Sequence, residues 1–253
     1  MRPTTTVKGT VLKLRRRLAQ AIRATRDFAS GTKKRIVNPA SAERAEGQKY
    51  PARITVEQPI LPTESVAAKI HNIELARRHI ENLPIPPGGV FSVWRLVGRA
   101  TSAAGFQSGR SLLGGELRAD FGGGLCQLSG IIYHASLLAG LHILERHPHS
   151  RDIYDDDDAR YTPLGADATV AYGFKDLRVT NSQRVPICFR FALTPDRLTC
   201  WICSSQPIQP CRVEFAIGHR ERGISLVETR RQRPGESKVE ILAVSSYRKL
   251  GQS

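Results

Sequence analysis

Near the start of the chain, mostly apolar residues recur at steps of three and four: Val11, Leu14, Leu18, Ala21, Ile22, Thr25 and Phe28. Lys13, Arg15, Arg16, Arg17, Arg23 and Arg26 fill the places between them. That period is helical, and the partition predicts an amphipathic basic helix. Two readings of its apolar stripe stand at this level. Either it docks on the rest of the protein and leaves the charges in water, or it lies in the plane of an anionic membrane surface through residues 8–28. Residues 31–53, rich in small, polar and basic types, read as a linker. Helical spacing returns between Thr63 and Asn82 at Val66, Ile70, Ile73 and Ile80, and Pro84, Pro86, Pro87, Gly88 and Gly89 end it.

Val90–Trp94 reads as a strand, and Ser111–Leu113 and Leu117–Asp120 flank Gly114-Gly115 as a hairpin would. The segment Phe121-Gly122-Gly123-Gly124-Leu125-Cys126 then opens a second helical pattern over Gln127–Glu145. Leu128, Ile131, Ile132, Ala135, Leu138, Ala139, Leu141 and Ile143 leave it only a narrow polar edge, so it should be buried on most sides. Asp155–Asp158 reads as an acidic loop. Beyond it, Ala168–Gly173, Val185–Leu193, Leu198–Cys203 and Val213–Ile217 are short and strand-like. The fold class expected is α+β. A buried central helix starting at the glycine-rich Cys126 segment would pack on a mostly antiparallel or mixed sheet, preceded by an N-terminal basic helix. Residues 1–53 would form an arm and linker, and residues 54–253 one domain.

Composition changes this picture in three ways. At 253 residues and 40% apolar content the chain can bury a sizeable core, yet no stretch approaches the roughly 18 consecutive apolar residues of a membrane span. The charged start has no apolar run and cleavage site behind it, and five cysteines make an odd number, so reduced thiols in the cytoplasm are expected. The net charge of +15 is also uneven: residues 1–53 hold 14 of the 38 basic and 3 of the 23 acidic residues, leaving 24 against 20 in the remainder. A basic arm of this kind attracts phosphates of lipid or nucleic acid. Nucleic acid is the weaker partner, because no aromatics interleave the basic residues and no recognition motif appears.

Four blocks in order carry a family resemblance. They are His71-Asn72-Ile73 through Pro87-Gly88-Gly89-Val90-Phe91-Ser92; Val97-Gly98 to Gly105-Phe106; Gly122-Gly123-Gly124-Leu125-Cys126-Gln127-Leu128-Ser129 on to Glu145-Arg146-His147-Pro148-His149-Ser150; and Tyr161-Thr162-Pro163-Leu164-Gly165-Ala166-Asp167-Ala168-Thr169-Val170. Over roughly residues 65–190 the chain resembles the VanW family, with Leu125, Gly130 and His134 as modest departures from its usual pattern. The resemblance implies a link to glycopeptide resistance and to cell-wall peptides or lipid-linked precursors. It implies no particular reaction and no cofactor, and it does not reach the arm or the last sixty residues.

The residues themselves suggest chemistry. Cys126 follows three glycines at a helix start, where unpaired amides and the helix dipole favour a thiolate. His147 and His149 are candidate bases. A helix from Gln127 to Glu145 would however be roughly 28 Å long, so the chain after His149 must double back or the base must come from elsewhere. Asp167, beside Gly165, could orient a histidine, bind substrate or cap a turn. Gln127 is a candidate oxyanion donor. A cysteine-dependent hydrolase or transferase acting at an amide or ester is one outcome; Cys126 as a packing residue is another. The third is a binding module in which Gly122, Gly123, Gly124 and Ser129, with the amides of Leu125, Cys126 and Gln127, hold a carboxylate or phosphate. His134, His142, His147 and His149 lack metal-site spacing, so no metal is expected. Cys200 and Cys203 read as sheet packing, and Glu145 with Arg146 as a helix-end ion pair.

Overall fold

The first helical pattern folds into α1 (Thr4–Ala29), in a computed structural model that describes residues 4–38, 50–113, 116–152, 160–221 and 223–249. A one-turn helix α2 (Thr32–Arg35) follows, after which Ile36 bridges to Val90 and Val37 is buried. The stretch read as a linker therefore begins inside the fold. It ends inside it as well, because β1 (Ala52–Pro59) starts before Arg53 and turns Ile54, Val56 and Gln58 inward. Helix α3 (Val66–Ile80) lies within the range its spacing predicts.

The strand expected over Val90–Trp94 is shorter. It stops at Ser92 (β2, Val90–Ser92), because the Ser92 hydroxyl accepts the Arg95 N–H and starts the short helix α4 (Val93–Val97). Strands β3 (Ser108–Leu113) and β4 (Glu116–Phe121) pair as an antiparallel hairpin; Gly114-Gly115, expected as its turn, lies outside the described residues.

The helix expected after the glycine run also ends early. Helix α5 spans Leu125–Leu138, not Gln127–Glu145, and buries 11 of its 14 residues. Gly140, at φ 68°, closes it: the Leu141 N–H bonds Ser136 O at 2.9 Å and the Gly140 N–H bonds Leu137 O at 3.0 Å, the two bonds of a Schellman stop. The chain then reverses into strand β5 (His142–Glu145). Leu141 and Ile143 continue the helical spacing by coincidence, which is why the sequence overruns this stop. Further on come β6 (Arg151–Asp152), β7 (Arg178–Thr180), β8 (Ile187–Leu193), β9 (Arg197–Ser204), β10 (Arg212–Glu221), β11 (Ile224–Gln232) and β12 (Val239–Lys249). Asp155–Asp158 lie outside the described residues. The strand expected at Ala168–Gly173 does not form: 168–170 carry no regular structure, and the chain turns at 172–174 between the isolated bridge partners Ala171 and Lys175.

The class is α+β. The strands form sheets ordered β1-β9-β8, β10-β11-β12-β6, β2-β7-β5 and β3-β4, antiparallel except for the β12–β6 pair. The core gathers Leu128, Ile131 and Ile132 of α5 with Ile73 and Ile80 of α3 and Phe91, Phe189, Leu198 and Ile202 of the strands. Cys200 and Cys203 are buried in β9 as sheet packing.

Candidate active site

Cys126 occupies the first turn of α5, directly after Gly124, whose φ of 100° lets the chain turn sharply into the helix. A Cβ at Gly124 would stand 2.9 Å from Lys69 Cγ and 3.0 Å from Lys69 O, so α3 packs too close for any larger residue. Asn72, fully buried on α3, fixes the same turn by donating to Gly123 O at 3.1 Å and Gln107 O at 3.0 Å and accepting the Gln107 N–H at 2.8 Å. Sequence reading did not single out Asn72 as part of the site, although it lies in the first resembling block.

The reversal at Gly140 removes the length objection. Residues 142–149, running roughly 3.3 Å per residue, return about 26 Å toward the helix start. His149 thereby comes near enough to Cys126 for imidazole and thiol to act on each other's charge, and the thiol lies 4.0 Å from Val170 O. On its other side, His149 Nδ1 bonds Asp167 Oδ2 at 2.6 Å, and the same oxygen accepts the His149 backbone N–H at 2.7 Å. Cys126, His149 and Asp167 form one chain of contacts. With Nδ1 engaged, Nε2 is the nitrogen left for the thiol.

Asp167 is held from three further directions. Arg146 Nη2 bonds its Oδ1 at 2.8 Å, Arg146 Nε bonds its backbone O at 2.8 Å, and the Tyr247 hydroxyl donates to Oδ1. Arg146 also lies over the Tyr133 ring at 5.0 Å and donates to Gly165 O at 3.0 Å. The helix-end pair expected between Glu145 and Arg146 does not form, because as consecutive strand-like residues they point to opposite sides. Glu145 instead takes Arg23 at 2.8 Å and His147 at 3.0 Å. Arg146 was thus legible as charged but assigned the wrong partner. Tyr247, on β12, gave no signal at all.

These contacts set the ionisation. Burial opposes the charge on His149, but the hydrogen bonds and negative charges of Asp167 and Cys126 outweigh it and push the imidazole up to about 10. Burial would raise the Cys126 thiol; the hydrogen bond and positive charge of His149 win, and it falls below its ordinary value. Burial would raise Asp167 too, yet His149, Arg146 and Tyr247 hold it at about 2. The site favours a thiolate–imidazolium pair anchored by an ionised carboxylate.

Other expected site residues lie elsewhere. His147 faces Glu145, and its carbonyl accepts the Thr169 N–H at 2.7 Å, so it does not reach the thiol. Gln127 is buried and donates its side-chain amide to Pro59 O at 3.0 Å, away from an oxyanion position. Ser129 is spent inside, donating to Ala168 O at 2.6 Å, which straps α5 to the Asp167 segment. The amides of Leu125 and Gln127 are bonded to Gly122 O and Gly124 O. Among the described residues the Cys126 N–H alone of these three has no acceptor. Gly122, Gly123 and Gly124 thus shape a turn and present one amide. His134 packs edge-on against Phe215 at 5.5 Å, and burial lowers it to about 4, so it stays neutral. No group of three or more His, Cys, Asp or Glu among the described residues is placed to hold a metal ion.

Cys126 lines a cleft of about 520 Å³ whose walls include Arg16 of α1, Arg99, Asp120, Tyr172 and Phe174. On the far side of the pair, His149 and Asp167 border a second cavity of about 70 Å³ with Tyr161, Leu164 and Tyr247.

The fold and site define an α+β domain that carries a Cys–His–Asp constellation at a helix start. The family model for VanW like protein matches residues 68–203, more than half of the chain, and the chain belongs to that family. It is 37% identical over 123 residues to "Uncharacterized protein YoaR" of Bacillus subtilis (strain 168), covering 49% of this chain and 39% of that protein. It is 34% identical over 113 residues to "Vancomycin B-type resistance protein VanW" of Enterococcus faecalis (strain ATCC 700802 / V583), covering 45% of this chain and 41% of that protein. The alignments thus span about two fifths of these relatives' length. No solved structure matches.

Proposed function

We propose that this domain is a cysteine-dependent hydrolase or transferase acting at an amide or ester, with Cys126 as nucleophile, His149 as its base and then acid, and Asp167 orienting the imidazole. The observation that carries this reading is the alignment of Cys126, which lines an open cleft, with His149 beside it and Asp167 bonded to the far ring nitrogen of His149 at 2.6 Å. The thiolate would attack the carbonyl carbon while the Cys126 N–H and the positive end of α5 meet the developing oxyanion. Imidazolium would then protonate the leaving amine or alcohol, and water or an acceptor, deprotonated by His149, would release the acyl group from the thioester. The Enterococcus relative is named for vancomycin resistance, and the setting we propose for this chain is the handling of a cell-wall peptide or lipid-linked precursor at the inner face of the membrane. The binding-only reading draws on less, since two of the three amides it needs are already bonded.

The test is acyl-enzyme formation. Incubation of the full chain with p-nitrophenyl acetate, followed by mass spectrometry, should place an acetyl group on Cys126, and Cys126→Ala and His149→Ala should abolish it. A peptidoglycan stem peptide that binds without ever acylating Cys126 would instead favour the binding module.

A further inference from the structure

Helix α1 meets the rest of the protein by the edge opposite its apolar stripe. Arg23 pairs with Glu145 at 2.8 Å and donates to Phe174 O at 3.2 Å. Asp27 is buried against Arg178 at 2.9 Å, and Arg16 lies over the Phe174 ring at 5.9 Å. Roughly half a helical turn away, Val11, Leu14, Leu18, Ile22 and Phe28 are 45%, 68%, 60%, 52% and 74% exposed. Helices normally bury the apolar stripe and leave the polar edge in water; here the polar edge is bonded and the stripe faces out. Exposed arginines border the stripe, Arg15 and Arg26 on one flank and Arg17 on the other, and exposed Lys33, Lys34 and Arg35 continue the charge onto α2.

We infer that this face of α1 seats the protein in the interface of an anionic lipid bilayer, the stripe entering the headgroup boundary and the flanking arginines meeting lipid phosphates. Charge decides between this occupant and a second copy of the chain: pairing two such faces would set arginine against arginine, whereas anionic headgroups neutralise them. The placement stands without the thiol chemistry. Joined to that reading, on which this last step rests, it points to lipid-linked substrates, because Arg16 of the same helix walls the Cys126 cleft.

The test is cosedimentation of the full chain with vesicles. Wild type should pellet with mixed phosphatidylcholine–phosphatidylglycerol vesicles at low salt, less so as salt rises, and weakly with phosphatidylcholine alone. Substituting Leu14→Asp, Leu18→Asp and Ile22→Asp together should abolish binding, while near-unchanged melting shows that the fold survives, since these side chains lie on the outward face. Each of Arg15→Gln and Arg17→Gln should weaken binding to the mixed vesicles about fivefold. Cys126→Ser should bind as wild type does, which separates this proposal from the enzymatic one. Wild type that fails to pellet, binding that is insensitive to the stripe and arginine substitutions, or a stripe variant whose one change is from dimer to monomer would overturn it.

Discussion

Arg146 is the residue on which the site's electrostatics turn. Its guanidinium is almost fully buried and holds Asp167 through both the carboxylate and the backbone carbonyl. Arg146→Ala would leave that carboxylate buried with one fewer counter-charge, so unfolding by denaturant should show a loss of about 3–5 kcal/mol. Tyr247→Phe removes one hydrogen bond to the same carboxylate and should cost about 1.5–3 kcal/mol, the usual range for bonds to charged groups. Asp167 also sets an acid limit. Held at about 2 against an ordinary 3.8, it supports the fold above pH 3.8, and that support is lost as the pH falls toward 2. Asp167→Asn should therefore flatten the loss of thermal midpoint between pH 4 and 2, which a pair of melting series would reveal. For the acyl transfer we propose, the rate should rise as Cys126 ionises, below its ordinary 9.0, and fall as His149 loses its proton near pH 10.

The elements show why part of the site is legible in the sequence and part is not. Cys126 at a glycine-initiated helix, and Asp167 beside Gly165, are local signals, and so is the histidine that follows the helix. What places His149 against Cys126 is the reversal at Gly140, a single residue whose left-handed backbone outweighs a helical period that runs on through Ile143. Gly140→Ala should cost about 1–2 kcal/mol in thermal or chemical unfolding, since its Cβ would also stand 3.1 Å from Cys211 Sγ. The strand β1 escaped notice because a buried Gln58 interrupts its apolar alternation, and β12 with Tyr247 because its contact to Asp167 joins positions far apart in the chain. Antiparallel pairing is non-local, so apolar spacing predicts that strands exist but not which loop a distant tyrosine will reach.

Across the whole molecule, α1 is tied to the domain by the ion pairs of Arg23 and Asp27 rather than by its apolar stripe. Asp27→Ala would strand the buried Arg178 beside Glu145 as its remaining neighbour. That should cost about 3 kcal/mol and expose the chain near residue 30 to limited proteolysis at a rate well above wild type. The amphipathic pattern of α1 is plain in the sequence, but which face would dock is not, since that depends on the carboxylates of Glu145 and Asp176 more than a hundred residues away. The central claim remains the thiolate–imidazolium pair that the folded chain assembles. Its most direct test is the rate of alkylation of the native protein by iodoacetamide across pH, with mass spectrometry identifying the modified cysteine in wild type and His149→Ala. Cys126 should react first, with a midpoint below the ordinary 9.0 that His149→Ala moves upward. A Cys126 that stays inert until the protein unfolds, or a midpoint that the substitution leaves unmoved, would contradict the account.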